Sequence, residues 1–251
     1  MVTIEYRPAP APSGSRAGFG LRANRHAGVR LEAVSLPTRH RAIVARSLAV
    51  FQVGESGTGQ HLFDAAEACG APDDYVHDLR AFIAEENEHA RLLALVLERL
   101  DWPLRDGHWT DRAFVALRRL RSLRTEVLTL LVAELVAHRY YAALRDGVAD
   151  PGLADVFGRI QADETRHLDF HAATLPPFLR RFPPPVRVVV RTLWNLLLTG
   201  TSVTIALDHG RALGLMGVTR REFVADIWRS RAALDARLFG PPTGSGADAG
   251  C

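Results

Sequence analysis

Residues 85–89 read Glu85-Glu86-Asn87-Glu88-His89, and residues 163–167 read Asp163-Glu164-Thr165-Arg166-His167. Each contains a Glu-x-x-His step, which sets a carboxylate and an imidazole on one helix face, about 5–6 Å apart at Cβ. One such step says little, because solvated helix faces are rich in Glu. The order around the two steps decides the fold. Glu55 precedes Glu86 by 31 residues, and Glu134 precedes Glu164 by 30. The chain therefore carries one half-site twice. Two antiparallel helix pairs related by a pseudo-two-fold axis would bring Glu55, Glu86, His89, Glu134, Glu164 and His167 together.

The stripes around these residues support that arrangement. Val44, Leu48, Phe51, Glu55 and Leu62 share one face, as do Phe82, Glu86, His89, Leu93 and Val96. Val127, Leu130, Glu134, His138 and Tyr141 form a third stripe, and Phe157, Ile160, Glu164, His167, His171 and Leu175 a fourth. Steps of three and four point each stripe at a core. A buried carboxylate costs several kcal/mol unless it is paired or binds metal, and four at one level cannot all ionise. Two divalent or trivalent cations remove the conflict. Carboxylates with neutral imidazoles suit iron, manganese or a mixed pair, and this ligand set is the one found in di-iron carboxylate bundles.

The expected architecture is all-α: an antiparallel four-helix bundle with two additional C-terminal helices. The first helix is expected from Pro37 to Ala68, the second from Pro72 to near Asp101, and the third from Thr110 to Arg145. Asp150 caps the fourth, with Pro151 at its first position, and prolines 176 and 177 end it. A fifth helix follows Pro183–Pro185. A sixth opens on Thr219 with Glu222 three residues on, a capping box, and ends at Gly240. The domain thus spans 37–240, with the bundle over about 37–180 and the extra helices over about 185–240. Residues 1–36, rich in Ala, Pro, Gly and Arg, and residues 241–251 are expected as flexible tails. Gly54, Gly57 and Gly59 crowd the first helix beside Glu55, each costing about 1 kcal/mol against Ala. A close crossing, a kink, or space next to the metal would offset that.

Composition narrows the rest. Cys69 and Cys251 form no C-x-x-C pair and no disulfide framework, so a reducing cytoplasmic compartment is expected. Electrons for any redox chemistry come from an external donor. The net charge of +3 is spread along the chain, which argues against nucleic acid. Its densest run is Arg112, Arg118, Arg119, Arg121 and Arg124, read as a solvated face, or alternatively as a dock for an acidic carrier or electron-transfer protein. The apolar run Val186–Leu207 contains Arg187, Arg191 and Asn195, which makes a covering helix a better reading than a membrane span. A shallow membrane-surface helix is the alternative.

The paired segments resemble the ferritin-like di-iron superfamily. They are similar to the E/D-E-x-x-H motifs of soluble acyl-carrier-protein desaturases, p-aminobenzoate N-oxygenase and aldehyde-deformylating oxygenase. The resemblance covers about residues 40–175 and does not reach the last 75 residues. It implies a ferritin-like bundle holding two iron ions. By the same resemblance, Asp163 orients His89, and Glu85 orients His167. His138, one turn after Glu134, is a candidate seventh ligand or hydrogen-bond donor, against simple core packing. The N-oxygenase family has a histidine where this chain has Ile160, a departure from that pattern. Tyr141 is a candidate electron or proton relay, against packing.

The expected activity is an O2-dependent di-iron oxidase or oxygenase. Its substrate would be a small or carrier-bound organic molecule, such as an acyl chain or an amine, in a pocket walled by the fifth helix and Trp194. A ferredoxin or reductase would supply electrons, and a homodimer is compatible with the reading. The alternative is a ferritin- or rubrerythrin-like iron-oxidising or peroxide-scavenging protein.

Overall fold

The computed structural model describes residues 19–22, 24–105 and 123–240, and these are all helix, turn or loop. The elements are α1 (Thr38–Gly54), α2 (Gln60–Ala68), α3 (Asp73–Arg99), α4 (Leu123–Gly147), α5 (Pro151–Thr174), α6 (Pro176–Arg180), α7 (Pro184–Asp208), α8 (Gly210–Leu215) and α9 (Arg220–Phe239). The bundle is built from α1, α3, α4 and α5. Helix α1 packs along α3, α4 packs along α5, and α3 meets α5 between the pairs. The link over 148–150 between α4 and α5 is short enough to make them antiparallel neighbours.

Local chemistry explains the boundaries. Asp150 accepts from the Leu153 N–H at 2.9 Å and caps α5. Thr219 and Glu222 close the capping box of α9. The expected first helix is broken in two. Glu55 closes α1, residues 56–59 form a non-helical link, and α2 begins after Gly59, whose φ is +65°. A Cβ there would sit 2.7 Å from Ile83, so this close approach excludes any larger residue. The short helices α6 and α8 were not foreseen.

The N-terminal expectation also changes. From Phe19 onward the segment packs on the bundle, with Leu31, Val34 and Leu36 in the core. The Ser35 N–H donates to the same Asp150 that caps α5. These three apolar residues, two and three positions apart, follow no helical period but are enough to anchor the segment. Residues 1–18, 23, 106–122 and 241–251 lie outside the described residues, and with them the start of the expected third helix, both tail ends and most of the arginine run. Arg124 lies over the Phe182 ring at 5.5 Å. Cys69 is disulfide-bonded, which its spacing from the other cysteine did not suggest.

Helix α7 covers α4 with one face only. Trp194 and Leu198 are buried, while Val188, Leu193, Leu196 and Leu207 are exposed. Its polar residues are engaged: Arg191 pairs with Asp235, and Asn195 accepts from Arg231. Two described helices, α4 and α7, are long and apolar enough to cross a membrane, but α4 lies almost wholly inside the bundle.

Candidate metal centre

The six residues of the doubled half-site meet in the middle of the bundle. They form two groups, Glu55, Glu86, His89 and Glu164, and Glu86, Glu134, Glu164 and His167. Within each group the nearest ligating atoms lie within 4.8 Å of one another, and Glu86 and Glu164 belong to both. Two cations held in these groups would share Glu86 and Glu164. Only Glu86 has noticeable exposure; the other five are buried.

The imidazoles turn the same edge inward. His167 Nδ1 lies 3.1 Å from both Glu86 Oε1 and Glu134 Oε2, and His89 Nδ1 lies 3.4 Å from Glu164 Oε1. Their outer nitrogens are held from behind. His89 Nε2 donates to Asp163 Oδ2 at 3.1 Å, and His167 Nε2 donates to Glu85 Oε2 at 3.0 Å. These are the two contacts that the resemblance implies. They fix the tautomer so that each Nδ1 lone pair points at carboxylate oxygens. Lone pair facing lone pair is repulsive unless a cation or a proton lies between them.

Protons are what the metal-free electrostatics call for. Burial, with Glu86 and Glu164 alongside, pushes the Glu55 and Glu134 carboxyls well above the ordinary range. Burial opposes charge on His167, yet hydrogen bonds to Glu134 and Glu85, with the Glu164 and Glu86 carboxylates alongside, push it well above the usual imidazole value. Burial likewise opposes charge on Glu164, and the imidazoles of His167 and His89 beside it hold it low. Glu86 Oε1, His89 Nδ1 and both Glu164 oxygens are buried without a hydrogen-bond partner. Orphaned atoms of this kind, all aimed at one point, fit metal ligands. The buried cluster is compatible with a di-iron site.

The remaining candidates separate. Tyr141 donates to Glu55 Oε1 at 2.5 Å and so touches the centre directly. His138 belongs to neither group; its Nε2 accepts from the Gln161 amide at 2.7 Å. Burial lowers His138 to about 4. As a seventh ligand it is therefore corrected to a neutral, hydrogen-bonded core histidine. His171 is fully buried, with its ring edge-on to Phe82, and burial lowers it to about 3.

An outer layer escaped the sequence reading. The Arg22 N–H and the Arg25 guanidinium both donate to Glu85 Oε1, at 2.8 and 3.0 Å. His26 Nε2 donates to Asp163 Oδ2 at 2.6 Å, and Arg166 pairs with the other Asp163 oxygen. Burial would raise Glu85, but His167, Arg22 and Arg25 hold it at about 2. The only sequence signal was a cluster of basic residues at 22–26 in a segment otherwise poor in features.

Two cavities open on the centre. One of about 430 Å³ lies under the glycine-rich 54–59 link and is lined by Glu55, Glu86, Phe82, His61 and Glu126. A smaller one of about 130 Å³ is lined by Phe51, Ala133, Ala137 and Ile205, with Glu55, Glu86, Glu134 and Glu164 at its inner side. Helix α7 contributes Thr201 and Ile205 to this wall. The expected Trp194 is not part of it, because its Nε1 donates to the Leu128 carbonyl.

The chain matches no protein-family model and no curated protein.

Proposed function

We propose that this chain is a non-heme di-iron oxidoreductase that uses O2 to oxidise or oxygenate a small organic substrate. The observation that carries the reading is the pair of four-ligand groups sharing Glu86 and Glu164, with an apolar cavity against the same carboxylates. Two iron ions held there would supply the reducing electrons and the Lewis acidity for O2 chemistry. The chain's own residues hold the site: Glu55, Glu86, His89, Glu134, Glu164 and His167 as ligands, and Asp163 and Glu85 as the groups that orient the two imidazoles. Tyr141 holds a proton at Glu55 Oε1. Phe51, Ala133 and Ile205 keep the approach dry. The substrate enters along that apolar wall, and electrons come from a separate donor protein.

Iron handling is the second reading, favoured by one feature. Asp64 and Glu126 join Glu55 and Glu86 around the 430 Å³ cavity, a lining suited to passing cations inward. Anaerobic reconstitution followed by O2-uptake measurement tests both. Close to two iron or manganese ions per chain, with O2 consumed in proportion to added organic substrate, supports the oxidoreductase. Uptake of O2 by iron alone, with a shell-like oligomer on gel filtration, supports iron handling. A folded protein that takes up no metal overturns both.

A further inference from the structure

Near the start of α1, away from the metal carboxylates, lies a cavity of about 600 Å³. Arg39 and Arg46 reach it from α1, Arg105 from the turn after α3, and Arg211 from α8, while Asp208 is the one acid among the described residues of its lining. Among the described residues, no ion pair engages Arg46, Arg105 or Arg211. Exposed arginines ordinarily splay apart in water. Four that converge from three segments on one concavity gain most from an anion among them, and the guanidinium fork suits phosphate and carboxylate oxygens.

The inner wall of this cavity is built and polar. Ser47 Oγ lies 2.6 Å from Tyr140 Oη and 2.7 Å from His209 Nδ1, and all three residues are buried. Trp102 adds an aromatic wall. The cavity also adjoins the metal side. Val50 lines both it and the 130 Å³ apolar cavity, and Phe51 of that apolar cavity stacks on Tyr140 at 3.7 Å. Arg39, Arg46, Val50 and Gly54 follow one another on one face of α1. From Arg46 to Glu55 the helix rises about 14 Å. A dry cavity of about 150 Å³ accepts benzene, so the apolar cavity suits a group of roughly six carbons.

We infer that the arginine-lined cavity is an anion-binding site that seats the phosphate or carboxylate head of an amphipathic organic ligand, with its apolar part lying past Val50 and Phe51 toward the metal carboxylates. The seat for the apolar part rests on the oxidoreductase reading. The anion site rests on the arginines alone.

Calorimetric titration of the full-length, metal-loaded protein with octyl phosphate, octanoate, inorganic phosphate and octanol tests this. The better of octyl phosphate and octanoate should bind at least about tenfold more tightly than inorganic phosphate or octanol. Which of the two wins identifies the head group. Arg46→Glu with Arg211→Glu should weaken that binding by about tenfold or more, and Arg46→Gln with Arg211→Gln by less, with metal content and helix content unchanged. Octanol binding as tightly as the charged amphiphiles, or full affinity in the glutamate variant, overturns the anion site. Two bound metals without anion binding sink this inference and leave the oxidoreductase reading standing. Anion binding by a protein that takes up no metal does the reverse.

Discussion

His26 donates from Nε2 to Asp163 Oδ2 at 2.6 Å, across 137 positions of sequence. The same oxygen accepts from His89. A residue of the extended N-terminal segment thus reaches a metal-site imidazole through a single carboxylate atom. Glu85 repeats the arrangement, with Arg22 and Arg25 on one oxygen and His167 on the other.

This outer layer should therefore tune metal binding. Groups that orient ligand histidines affect metal affinity by about 10–100-fold when removed. His26 acts one bond further out, so His26→Ala should weaken iron or cobalt binding by roughly tenfold at the low end of that range. Its neighbour Arg91, which donates to the His26 carbonyl, stays in place. His26→Gln, whose amide still donates, should recover most of the loss. Competition with a chromophoric chelator measures both, and equal affinity in the alanine variant and the wild type would refute the role.

The contrast between Asp163 and His26 shows what the sequence made legible. Asp163 sits beside a ligand glutamate in a periodic helix, so the resemblance could be carried onto it residue by residue. His26 sits in a segment with no period, and its partner is set by tertiary packing of Leu31, Val34 and Leu36. The glycines at 54, 57 and 59 were visible, but helix periodicity continued through them. The break appears only when Gly59 meets Ile83. The arginine cavity was equally hidden, since Arg46, Arg105 and Arg211 belong to three segments joined only by the fold.

Among the described residues, Tyr141 is the one hydroxyl bonded to the centre. Tyr141→Phe removes the donor to Glu55 while keeping the buried ring and its edge contact with Phe51. Burial keeps the Glu55 carboxyl neutral in metal-free protein, and a hydrogen bond between neutral groups contributes about 0.5–1.5 kcal/mol. The metal-free variant should lose stability within that range in urea melts. Metal stoichiometry should not change, because Glu55 keeps both oxygens. A variant as stable as the wild type would show that the short contact carries no net energy.

Replacing a ligand should have opposite signs with and without metal. Glu134 is buried beside Glu86 and Glu164, which push its carboxyl up. Removing it relieves the crowding of three buried carboxyls, which outweighs the loss of its one hydrogen bond to His167. Metal-free Glu134→Leu should therefore melt higher than the metal-free wild type. With saturating metal the order should reverse, because the variant has lost one position of the second ligand group. Higher stability of the variant in both states would mean that Glu134 is no ligand.

Acid should expose the buried histidines. His138 is 3% exposed, and its Nε2 accepts from the Gln161 amide, so its ring is neutral. Burial lowers its pKa from 6.5 to about 4. Between those values the unfolded chain takes up a proton that the folded chain refuses. The contribution is thus complete above pH 6.5 and disappears as pH falls toward 4, by roughly 3 kcal/mol. Glu55, Glu134, His89 and His167 titrate in the opposite sense in metal-free protein, since their folded values are raised. Wild-type melts alone would mix the two. The difference between wild type and His138→Gln removes the shared terms, because the glutamine can still meet Gln161. In guanidinium melts of metal-free protein, the stability advantage of the wild type over the variant should shrink by about that amount from pH 7 to pH 4. A constant difference across that window would show that His138 protonates as freely in the fold as in the open chain.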